Sequence, residues 1–126
     1  MSQSEDQRVV KELYAALLKE ARRTFPAVGG SLDAPEERGV YVIYGPRNDA
    51  LHVGSTPKGQ RGIVKRLRDH MAAASSFTRT YLDGNGAVLR NGYSYQYVVV
   101  ENPRLRALLE AYAIGDLCPA HIGHGM

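Results

Sequence analysis

The sequence predicts a small α/β fold, a sheet flanked by helices, on three observations. Gly39–Tyr44 and Leu51–Val53 are short runs of good β residues, separated by turn chemistry at Gly45-Pro46-Arg47-Asn48-Asp49, which reads as a hairpin. Tyr93–Glu101 is a third run that alternates and then turns continuously apolar at Val98–Val100. Segments with helical apolar spacing lie before, between and after these runs. The 126 residues suit one domain with one real core.

The elements follow in order. Val9, Val10, Leu13, Ala16, Leu17 and Ala21 recur at helical spacing, so residues 5–25 are expected to form an N-terminal helix, ended by Pro26 and Gly29-Gly30. Its default role is packing on the core, with a homodimer seam as the alternative. Residues 26–38 read as a linker and 39–126 as the main domain. After the hairpin and a tight loop at Gly54–Gly59, a helix is expected over about 61–74, with Ile63, Leu67, Met71 and Ala74 as its apolar stripe. Residues 75–92 carry turn pairs and polar side chains, including Ser75, Ser76, Thr78, Arg79 and Arg90, and read as a surface insertion. Tyr81 and Tyr93 within and beside it are either packed or free to stack on unpaired bases. Asn102 suits an N-cap and Pro103 a first helical position, opening a last helix that runs to about Leu117. The tail, Cys118–Met126, is expected to be loop-like.

Composition excludes several classes. Hydrophobic residues are 44% and charged residues 23%, which is neither a disordered nor a collagen-like chain. No apolar run approaches the ~20 residues of a membrane span. Met1–Asp6 is polar and acidic, unlike a secretory signal. Cys118 is the single cysteine, so no intrachain disulfide forms, which fits a cytoplasmic protein. Net charge is +3, and the surplus is local: residues 58–70 hold Lys58, Arg61, Lys65, Arg66 and Arg68 against Asp69 alone. Either a solvated helix face or a phosphate-bearing partner accounts for that run.

Four constellations bear on chemistry. Arg66 and His70, four apart, share one edge of the apolar stripe. They read equally well as a snorkelling Arg with a core His and as a pair for a phosphodiester, the Arg as a fork and the His as a proton carrier. Glu110 sits in the apolar run Ala107–Ile114, either as a hard-metal ligand or paired with Arg106. Tyr41 and His52 lie on opposite arms of the hairpin. Cys118, His121 and His124 offer three soft ligands where structural zinc wants four, so a plain turn is the simpler reading. The chain carries no P-loop, dinucleotide fingerprint or nucleophile elbow.

Taken in order, Gly39-Val40-Tyr41, then His52-Val53-Gly54, then Lys65-Arg66-Leu67-Arg68-Asp69-His70, then Leu108-Leu109-Glu110 followed by Ile114, Leu117 and Pro119, resemble the GIY-YIG nuclease superfamily over about residues 38–120. The resemblance implies a three-stranded antiparallel sheet with flanking helices and metal-dependent hydrolysis of DNA phosphodiesters. It implies Tyr41 as general base or proton relay, His70 as its orienting or deprotonating partner, and Arg66 as transition-state stabiliser. Glu110 would be the sole protein ligand of one Mg²⁺ or Mn²⁺. His52 stands where the family usually has Tyr, and Ile122 where it often has Asn, with His121 and His124 as possible auxiliaries. Ser55, Thr56, Lys58, Arg61, Lys65, Arg68 and Arg79 are the expected DNA contacts. The second reading is a nucleic-acid-binding module of the same fold with impaired catalysis.

Overall fold

The structure, a computed structural model, describes residues 2–57 and 62–122, with the side chains of 2–4 left aside. In chain order it comprises α1 (Ser2–Lys19), β1 (Arg23–Thr24), β2 (Gly39–Tyr44), β3 (Ala50–Ser55), α2 (Ile63–Met71), a π-helical turn (Phe77–Tyr81), a 3₁₀ turn (Gly86–Arg90), β4 (Ser94–Val99) and α3 (Pro103–Leu117). The fold is mixed α/β, as the sequence predicts. The sheet, however, has four antiparallel strands in the order β1-β4-β2-β3, not three. The extra strand comes from the stretch expected to finish the first helix. That helix stops at Lys19, and Arg23 and Thr24 turn to pair with Tyr95 and Ser94.

β2 is the central strand and every residue of it is buried. Its alternation divides two cores, one on each sheet face. Val40, Val42 and Tyr44 pack with Val10, Tyr14 and Leu17 of α1 and Leu109 and Ala113 of α3. Tyr41 and Ile43 pack on the other face with Ile63 and Leu67 of α2, Phe77, Leu89 and Tyr95. Helix α2 ends at Met71, and Ala73 at φ 61° turns the chain away, so Ala74 leaves the expected stripe and is exposed. The first amides of α2 are already satisfied: Gly62, Ile63 and Val64 donate to the carbonyls of Glu36, Glu37 and Pro35. Helix α3 begins as expected, with Asn102 accepting from the Leu105 amide at 3.0 Å and Pro103 in the first turn.

The tail departs from the loop expectation. Ala120 N–H donates to Ala50 O and His121 N–H to Leu51 O, so the chain returns along the outer edge of β3. That covers the start of the edge strand and leaves its end, near Gly54 and Ser55, uncovered by these two bonds.

Candidate functional site

A cleft of about 230 Å³ opens at the end of β3, where both sheet faces reach it. Tyr41, His52, Arg66 and His70 line it from the α2 side, and Ser55 and Glu110 from the α3 side. Residues of β2, β3, α2 and α3 thus share one concavity. Residue 54, with no side chain, leaves room there for the Tyr41 ring. Gly54 pairs with Tyr41 across the ladder, and a Cβ at that position would strike the Tyr41 hydroxyl and ring.

Tyr41 is fully buried, and its Oη lies 2.7 Å from His70 Nε2. The direction of that bond follows from the groups behind it. The His70 carbonyl can only accept, so Thr78 Oγ1 donates its proton there. Ser75 Oγ therefore donates to Thr78 Oγ1, and it accepts from the Thr78 amide. With the Ser75 proton assigned to Thr78 Oγ1, the 2.6 Å contact to His70 Nδ1 is assigned as an N–H donated by the ring. His70 is thereby the Nδ1–H tautomer, and Nε2 is a bare acceptor for the Tyr41 hydroxyl. Ser75 and Thr78 are buried, which corrects the expectation that they sit in a surface insertion.

Burial drives the protonation states. It pushes His70 down to about 2, helped by His52 and Arg66, and His52 down to about 3, helped by His121 and Arg66. It also raises the Tyr41 phenol above its ordinary range, while the Arg66 guanidinium beside it acts the other way. At neutral pH all three rings are uncharged.

Arg66 spends one fork on Asp69, Nη1 to Oδ2 at 3.0 Å, while Lys65 holds the other Asp69 oxygen at 2.6 Å. Its Nε–H is buried and has no hydrogen-bond partner among the described residues. The guanidinium as a whole lines the cleft and acts on the Tyr41 hydroxyl. Glu110 does not pair with Arg106, which is buried and bonds the carbonyls of Val100 and Glu101. Glu110 instead accepts from Ser55 Oγ through Oε1 at 2.8 Å.

A single carboxylate on a wet cleft suits a hard divalent ion, which keeps several waters among its ligands. Glu110 would hold it through oxygen, so the donor set fits. Among the described residues no three His, Cys, Asp or Glu side chains gather into a metal cage.

Of the other expected contacts, Thr56 is buried, and its Oγ1 accepts the Gly39 amide, so it closes the hairpin and presents nothing to a ligand. Arg68 faces a separate cleft that it shares with Arg90 and Met71. Arg79 is exposed on the π-helical turn. Lys58, Arg61 and His124 lie outside the described residues. His121 reaches the site edge, its Nδ1 3.1 Å from His52 Nδ1. Cys118 is exposed at the end of α3. Tyr93 is half-buried against the second core. Comparison with known proteins finds no family model and no curated relative that matches this chain.

Proposed function

We propose that the chain is a metal-dependent DNA endonuclease of the GIY-YIG type. The observation that carries the reading is the Tyr41–His70 hydrogen bond, directed toward a bare imidazole nitrogen, on the wall of a cleft shared with Arg66 and Glu110. Because burial opposes a tyrosinate, Tyr41 acts as a relay and not as a stored base. Its oxygen takes the proton of an attacking water while its own proton passes to His70 Nε2, whose affinity for a proton, held low by burial and by Arg66, rises when the phosphate anion enters the cleft. The water oxygen forms the new P–O bond as the leaving oxygen departs. Arg66, a fixed positive charge on the cleft wall, meets the charge that develops on the phosphoryl oxygens. A divalent ion held by Glu110 would supply polarisation of the phosphate and charge for the leaving oxygen.

Incubation with labelled DNA in Mg²⁺, Mn²⁺ or EDTA tests the reading. Cleavage is expected with either metal, and is expected to vanish with EDTA and in Glu110→Ala, Arg66→Ala and Tyr41→Phe. Cutting that persists in Glu110→Ala would sink the mechanism. His52 favours the second reading, because its Nδ1 is taken by His121 and its ring lies stacked on Phe77. Salt-sensitive DNA binding with no product in any metal would establish that binding module instead.

A further inference from the structure

The ring of His52 is the inner end of a column. His52 stacks on Phe77 with centroids 4.9 Å apart and planes 18° from parallel. Phe77 stacks in turn on Tyr81 at 5.6 Å and 12°. His52 and Phe77 are buried, whereas Tyr81 is 42% exposed. Phe77 lies offset against one Tyr81 face, and the Tyr81 side chain remains substantially exposed beyond that contact. Three near-parallel rings therefore run from the cleft wall to the surface and end in an exposed aromatic ring.

The geometry points to a binding site for an unpaired nucleobase on the outer face of Tyr81, so that the substrate is single-stranded or locally unpaired DNA. Base-paired duplex offers no free base face inside the stack, while an unpaired base extends a column of rings whatever its identity. Arg79 is exposed on the same turn and adds positive charge to this end of the molecule, which favours a polyanion in general. Arg66 lies at the inner end, in the cleft that His52 also lines. The turn that presents these groups is π-helical, its widened bond running from Leu82 N–H to Phe77 O. The proposal rests on the nuclease reading for the identity of the ligand as DNA.

The chain contains no tryptophan, so Tyr81→Trp places a single indole at the site. Titration in EDTA keeps binding apart from cleavage. An oligothymidine strand should quench that indole strongly, and a blunt duplex should leave it nearly unchanged. Tyr112→Trp, on exposed α3, should stay silent with both. By fluorescence anisotropy, Tyr81→Ala should weaken single-strand binding about 5- to 100-fold, the range for losing one stacked base, and Tyr81→Phe should retain it. Equal quenching by duplex would overturn the proposal. So would strand binding without quenching, or no binding of any DNA. Metal-dependent cleavage without quenching would remove this site and leave the nuclease, whereas quenching without cleavage would remove the nuclease and leave this site.

Discussion

Ser75 is two bonds away from the reaction, yet it sets which nitrogen of His70 is bare. In Ser75→Ala the ring loses the acceptor for its Nδ1–H and can turn over to the other tautomer, which would face Tyr41 with an N–H. We expect cleavage to fall about tenfold or more, in kcat and not in KM, as happens when the orienting partner of a histidine is removed. Imidazole ¹⁵N shifts should show the Nδ1–H form in the native chain and a mixture in the variant. An unchanged tautomer in the variant would refute the role given to Ser75, and an Nε2–H form in the native chain would refute the relay as drawn. Gly54 makes a second test. A methyl there must displace the Tyr41 ring, so Gly54→Ala should cost about 1–3 kcal/mol in a urea titration and abolish cutting. The Arg66–His70 spacing and the two hairpin tripeptides were legible because each lies on a regular element. Ser75 and Thr78 were not: polar residues in a stretch without periodicity read as surface, and only the backbone turn after Ala73 carries them behind His70.

At the scale of elements, strands and helices whose pattern spans two turns or more were readable, and the short pairings were not. Pro103 and Asn102 mark α3 from sequence because caps use local chemistry. β1 is two residues long and the tail pairing is a single bridge, so neither repeats often enough to show a period. Both are fixed by what the sheet edge leaves unpaired. The tail pairing makes a prediction of its own. In the His52–His121 contact one ring donates and the other accepts, and His52 is almost wholly buried. His121→Ala leaves the His52 Nδ1 without its partner and should lower stability by about 1–3 kcal/mol in urea. His121→Asn, which keeps a polar side chain there, should recover part of that loss. No change in either variant would mean that the His52–His121 side-chain contact adds nothing to the backbone pairing of the tail.

The whole molecule holds two neutral histidines beside one another in its second core, their rings 5.1 Å apart in a T-shaped contact. In the unfolded chain each titrates near 6.5, while in the folded chain burial holds them down to about 3 and about 2. Above pH 6.5 both states leave them neutral and they contribute nothing to the pH dependence. Below it the unfolded chain binds protons that the folded chain refuses, so stability must fall as pH falls. Two such groups give a slope on the order of 2–3 kcal/mol per pH unit between roughly pH 5.5 and 4. Urea midpoints taken across that range should show it, and His70→Gln should remove about half of the slope. The same neutrality bears on catalysis. A histidine base of ordinary pKa would lose most of its activity by pH 5, whereas His70 keeps Nε2 bare there, so kcat/KM should carry no inflection near 6.5. A stability curve that stays level down to pH 4.5 would mean that these rings take up protons in the folded protein as readily as in the unfolded chain, and kcat/KM would then carry the inflection near 6.5.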